Sequence, residues 1–184
     1  MCHTALLDGK FRAFLERIDE ELAQETRAGR CRRCRGVLHR NRFPRKPRGG
    51  PRDCAEAFRY RLSFRCAICN KRHTPPSVRF LEHRVYLAAT VVLASALRAG
   101  LTEWRVNQLT EWIRVPRQTL ERWRVWWQQA FVDSAFFVTA RGQFMPPLEE
   151  AAPPASLLRR IDGADLLSHL VAALRFLAPL SQGR

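Results

Sequence analysis

The sequence predicts a mainly α protein carrying one small, cysteine-clipped β unit. Three observations lead there. Several stretches repeat apolar residues at three- and four-residue steps, one stretch alternates apolar with basic residues, and two Cys-x2-Cys pairs stand 31 residues apart. With 184 residues the chain can form one ordinary domain or a few small modules in series.

The first element is an N-terminal helix within residues 1–29. Leu7, Phe11, Phe14, Leu15, Ile18 and Leu22 recur at helical spacing, and Gly29 is a natural stop. Residues 30–80 form the β unit. Its middle, "HRNRFPRKPRGGPRDC", has the proline and glycine content of a hairpin tip. In "FRYRLSFRC", Phe58, Tyr60, Leu62 and Phe64 alternate with Arg59, Arg61, Ser63 and Arg65, which predicts a strand apolar on one side and basic on the other. Residues 81–140 are helical: one helix from His83 to Arg98 ended by Gly100, a second from the Thr102 cap to Ile113, and a third from Arg117 to Phe131. Val115-Pro116 separates the last two. A proline-rich linker follows at 141–156, then C-terminal helices in 157–184, broken near Gly163.

Cys31, Cys34, Cys66 and Cys69 make up the two pairs. Two such turns can each aim two thiolates at one tetrahedral ion, so these four are the candidate ligands of a structural Zn²⁺, and the β unit is predicted to be a zinc ribbon. Gly36 and Asn70 are expected to supply the left-handed backbone just after each pair. Four thiolates leave no open position for water, so the ion has a folding role. Competing readings of the same cysteines are disulfides, a redox pair, buried free thiols, or replacement of one ligand by His39 or His73. Cys2 and Cys54 stand apart and receive no role.

Charge narrows the function. The chain carries 32 Lys and Arg against 17 Asp and Glu, and 29 of the 32 are Arg. Between Arg30 and Arg84 lie 17 basic and 3 acidic residues, so nearly the whole excess sits in one segment. Localised positive charge marks a polyanion binder. Arg32, Arg33, Arg35, Arg40, Arg42, Arg45, Lys46, Arg48, Arg59, Arg61 and Arg65 are expected to cover the ribbon and meet phosphates. The longest apolar run, Val85 to Leu97, is too short to span a bilayer and no signal peptide is visible, so a cytoplasmic protein without a membrane partner is expected.

In residues 101–127, Leu109, Ile113, Val115, Leu120 and Trp123 fall where a helix-turn-helix places its core; a plain three-helix bundle is the alternative. In the first case the helix at 117–130 enters the major groove, with Arg117, Gln118, Glu121 and Arg122 toward bases and Arg105 and Arg124 toward phosphate. Trp104, Trp112, Trp123, Trp126 and Trp127 are expected in the core, although adjacent Trp126 and Trp127 cannot both point inward equally. Leu166, Leu167, Leu170, Val171, Leu174 and Leu177 form an apolar stripe that docks on the tryptophans or dimerises.

"VPRQTLERWRVWW" resembles the recognition helix of transposase and recombinase helix-turn-helix domains. "FRCAICNKRHTPPS", followed by a helix, resembles the zinc ribbon of insertion-sequence transposase N-terminal regions. The resemblance covers about residues 31 to 130. It implies binding at transposon ends, with Cys31, Cys34, Cys66 and Cys69 as zinc ligands. The three-carboxylate catalytic domain of such enzymes has no counterpart here, and no nucleophile motif or phosphate-binding loop occurs. The expectation is therefore a bacterial, non-enzymatic protein with structural zinc that binds double-stranded DNA. Self-association or a transposition partner is a further expectation, and no small-molecule substrate is. The alternatives are an RNA-binding zinc ribbon and a protein-interaction adaptor that uses the tryptophans and the C-terminal helix.

Overall fold

A computed structural model describes residues 9–46, 48, 58–81, 87–97, 115–144, 153–161 and 163–182. Among these, six α-helices accompany one three-stranded antiparallel sheet. Helix α1 spans Gly9–Ala28. Strands β1 (Leu38–Pro44), β2 (Tyr60–Cys66) and β3 (Arg72–His73) follow, in the sheet order β1-β2-β3. The remaining helices are α2 (Ala88–Leu97), α3 (Arg117–Gln128), α4 (Ala135–Ala140), α5 (Ala155–Arg160) and α6 (Leu166–Leu177). Short 3-10 turns cover Arg141–Gln143 and Ala178–Gln182. None of these helices is long and apolar enough to cross a membrane.

Helix α1 follows its apolar stripe. Phe11, Leu15 and Ile18 are buried, Leu22 is half-buried, and Phe14 stays partly exposed. The stripe contains one residue that does not belong to it by type: Asp19 is only 3% exposed. Helix α2 packs on α3, α5 and α6. The core between them gathers Val91, Val92, Val115, Leu120, Trp123, Trp127, Phe131, Phe137, Leu157, Leu170, Leu174 and Leu177. Burial of each large apolar side chain contributes on the order of 1.5–3 kcal/mol.

Leu170, Leu174 and Leu177 of the C-terminal stripe thus lie within the same core as the tryptophans, and Leu167 is partly exposed. Of the adjacent pair, Trp127 is buried and Trp126 half-buried, their rings packed edge-on at 4.7 Å.

Three elements depart from the sequence-based expectation. Helix α3 ends at Gln128, and a separate helix α4 begins at Ala135, where Ser134 Oγ accepts the Phe137 N–H as an N-cap. The first helical tail segment starts at Ala155 rather than Leu157. The start of the expected hairpin tip, residues 39–44, is not loop but part of strand β1, paired with β2. The helix expected at 102–113, with Trp104, Arg105, Leu109, Trp112 and Ile113, lies outside the described residues, as do Cys2, Pro47 and residues 49–54 of that tip, Cys54 among them. The expected helix-turn-helix therefore rests on α3 and the buried Val115 preceding it.

A buried polar network joins the sheet to the helical body. Asp19 accepts hydrogen bonds from Ser77 Oγ (2.6 Å), the Val78 N–H (2.7 Å) and Arg79 Nε (2.7 Å). Arg61, on β2, donates through Nη2 to the carbonyls of Pro75 and Ser181 and to Ser181 Oγ. Ser181 Oγ in turn accepts the Ser77 N–H at 2.7 Å. One cluster therefore ties α1, β2, the segment after β3 and the C-terminal turn together.

Candidate metal centre

Each cysteine pair sits on a knuckle, and the two knuckles share one backbone design. In the first, the Cys31 N–H donates to Gly36 O (3.0 Å) and the Arg35 N–H donates to Cys31 O (2.8 Å). In the second, the Cys66 N–H donates to Lys71 O (3.0 Å) and the Asn70 N–H donates to Cys66 O (3.1 Å). The residue directly after the second cysteine turns left-handed in both, with φ of 60° at Arg35 and 56° at Asn70.

Asn70 thus takes the conformation expected of it, whereas Arg35 takes the one expected of Gly36. Gly36 is required for a different reason. A Cβ there would lie 2.8 Å from Cys66 Sγ and 3.0 Å from Ile68 Cδ1, so only glycine lets the knuckles close on each other.

Pairing of β1 with β2 sets the knuckles face to face, with Leu38 opposite Cys66. The Ala67 N–H adds a bond to Val37 O at 2.9 Å. All four Sγ atoms then lie within 4.8 Å of one another. Cys31 and Cys69 are 3.6 Å apart, Cys34 and Cys66 3.4 Å. No disulfide joins them; an S–S bond would be about 2.05 Å long. A Zn–S distance of about 2.3 Å places the corners of a sulfur tetrahedron about 3.8 Å apart. The donor set, its spacing and the glycine gap all fit one tetrahedral, thiophilic ion. Cys31 and Cys66 are buried, and Ala23, Leu38 and Phe64 close around them.

The thiols do not share their protons equally. At Cys31, desolvation acts upward, but the Cys34 and Arg33 N–H groups, with the Cys69 and His73 side chains, outweigh it and hold the pKa down to about 5. Cys34 accepts the Gly36 N–H, yet the neighbouring Cys66, burial and the remaining thiols push it up to about 12. Cys66 is lowered, chiefly by the Cys69 N–H. Such a set binds a cation in exchange for its protons.

His73 Nε2 lies 3.2 Å from Cys31 Sγ, beside the cluster rather than in it. It is placed to orient and stabilise that sulfur. His39 is exposed on β1, opposite Arg65. Neither histidine replaces a cysteine among the described residues.

The basic residues divide into distinct settings. Arg61 is not on an exposed face. It is 4% exposed, and burial, aided by Arg45, pulls its guanidinium down to about 10 while Asp19 acts in the opposite direction. Ser63, on the same side of β2, is 1% exposed, so this strand is covered on both faces near its centre. Arg40 is held by Glu20 through two hydrogen bonds of 2.7 and 2.8 Å. Arg42 stacks on Tyr60 at 5.0 Å, and Arg72 on Phe43 at 5.5 Å. Arg45, half-buried, stacks on Phe80 at 5.5 Å; Arg61 and Arg79 flank the same ring. Lys46, Arg48, Arg59 and Arg65 are exposed.

On α3, Arg117, Gln118, Arg122 and Arg124 are exposed and Glu121 half-buried, opposite the buried Leu120, Trp123 and Trp127. Arg122 Nη2 donates to Thr119 Oγ1 at 3.0 Å.

Sequence reasoning missed the Asp19, Ser77, Arg79 and Ser181 network. One signal was available: Asp19 falls four residues after Leu15 and four before Ala23, on the apolar face of α1. A buried carboxylate at such a position requires a cationic partner. The chain matches no protein-family model, no curated protein and no solved structure.

Proposed function

We propose that this chain is a DNA-binding protein folded around structural zinc, and that it works in the manner of transposase N-terminal regions without their catalytic domain. The observation that carries this reading is the pairing of a four-cysteine cluster with a concentrated, acid-poor arginine surface. Zn²⁺ suits four thiolates, and its role would be to hold the two knuckles together. The ribbon then carries positive charge on a rigid frame, which favours phosphate contact over a mobile tail.

Helix α3 supplies the base contacts. Arg117 and Gln118 occupy its first turn, project away from the tryptophan core, and have side chains suited to guanine and adenine edges. Arg122 lies one turn beyond Gln118 on the same face, and Arg124 lies two turns beyond Arg117, for phosphate. The reading assigns no chemistry to the chain; it binds and positions.

Selection of bound sequences from a random duplex pool, with affinity measured across salt concentrations, tests this reading. An enriched motif and a steep fall of affinity with salt are expected. Arg117→Ala should relax the motif at one position. Absence of duplex binding at low salt would overturn the proposal, and stronger binding of a matched RNA duplex would move the assignment to RNA.

A further inference from the structure

Several hairpin arginines are engaged with their own protein, whereas Lys46, Arg48, Arg59 and Arg65 are exposed like the knuckle cations. Arg40 is held by Glu20, Arg61 is buried, and Arg42 and Arg72 lie over aromatic rings. Arg32, Arg33 and Arg35 of the first knuckle and Lys71 of the second are all exposed. Among the described residues their side chains form no hydrogen bond, ion pair or ring contact. No acidic residue occurs from Arg27 to Arg52 or from Arg59 to Leu81.

In the middle of this charge stands an apolar side chain. Ile68 is 71% exposed, the most exposed of the large hydrophobic residues described, and Val37, beside it, is 47% exposed. The position is stiff. Ile68 packs on the Gly36 backbone, its N–H points to Cys66 Sγ at 3.4 Å, and β-branching restricts its own rotamers. A rigid apolar tip carried on the same two knuckles as these exposed cations is suited to a surface that is anionic outside and apolar within, and duplex DNA has that character along its minor groove.

We infer that the metal end of the ribbon grips duplex DNA, with Arg32, Arg33, Arg35 and Lys71 on phosphates and Ile68 wedged against a base step in the minor groove. This rests on the DNA-binding reading above and adds a phosphate grip at the knuckles to the exposed cations of the hairpin. It also gives the metal a direct part in recognition, because the ion sets the stiffness and aim of the wedge.

The test uses the full metal-loaded chain and a mixed-sequence DNA duplex carrying aminopurine as a fluorescent reporter of unstacking. Binding by the native chain should brighten the reporter. Replacing Arg32, Arg33 and Arg35 together by Ala should lower the slope of log affinity against log salt by about 2.7, at about 0.9 per phosphate contact. Ile68→Ser should weaken binding roughly tenfold, the scale of one aliphatic burial, leave the salt slope unchanged and abolish the brightening. Ile68→Leu should restore both. All of these side chains are exposed, and measured metal content confirms that each variant keeps its knuckles.

If the triple variant retains the native slope while Arg117→Ala still relaxes sequence preference, the DNA reading stands and this inference fails. An Ile68→Ser variant that brightens the reporter as the native chain does also overturns it. If the native chain shows no salt-dependent DNA binding, both fall together.

Discussion

Twenty residues form the main buried cluster of the helical body among the described positions, including Trp123, Trp127, Phe131 and Phe137; the ribbon's cluster has five, of which two are cysteines and one, Ala23, is lent by α1. The body excludes enough apolar surface to hold itself together. The ribbon does not, and a sheet of two seven-residue strands and one two-residue strand requires another source of stability. Four converging thiols supply the site for it. The difference bears on where charge is concentrated: a unit clipped by four converging cysteines has less need of a large apolar core, so its surface is free to carry arginine.

Stripping the metal with a chelator is the largest expected perturbation of this contrast. Amide protection of Leu38–Pro44 and Tyr60–Cys66 should disappear, while the near-ultraviolet signal of the buried tryptophans persists. Loss of both at once would mean that the body depends on the ribbon and that the two are not separate sources of stability.

Asp19→Ala attacks the junction between them. Arg79 would lose its buried counter-charge, and Ser77 and the Val78 N–H would lose their acceptor. A cost of about 3 kcal/mol is expected, measurable by denaturant unfolding. Because the network reaches Ser181, both regions should be weakened.

Gly36→Ala sharpens the picture of the site. Its new methyl would crowd Cys66 Sγ, and the expected cost is about 1–3 kcal/mol, seen as weaker metal retention in competition with a chelator while the tryptophan core is untouched.

The smallest effect is expected at the start of α6. Asp165 accepts the Ser168 N–H at 2.7 Å, and that bond lowers its pKa below the ordinary carboxylate value. A depressed folded-state pKa means that the cap stabilises above the unfolded value of about 3.9 and is lost as pH falls through the folded one. Asp165→Ala should therefore lower the melting temperature slightly at neutral pH and not at all in strong acid.

Much of this was legible in the sequence where one interaction dominates. Cysteine spacing brought Cys31, Cys34, Cys66 and Cys69 together because two knuckles on one hairpin leave few other arrangements, and the stripe of α1 and that of α6 follow from helical periodicity. Legibility failed where the environment is tertiary. Alternation along β2 assigned Arg61 to an exposed side, yet the segment from Pro75 to Arg79 and the C-terminal turn cover that side. Gly36 was expected to turn left-handed, because glycine is the residue that does so most readily; its actual role is to leave room for the sulfur of Cys66, far along the chain in the second knuckle. Helix α4 is six residues long, too short to show a period.

The central claim is that the four thiolates hold one ion. X-ray absorption at the zinc edge, with metal content measured on the purified chain, tests it most directly. One zinc per chain with four sulfurs at about 2.3 Å is the expected result. A chain that keeps its sheet without bound metal, or an ion coordinated by nitrogen or oxygen in place of any of these sulfurs, would contradict it.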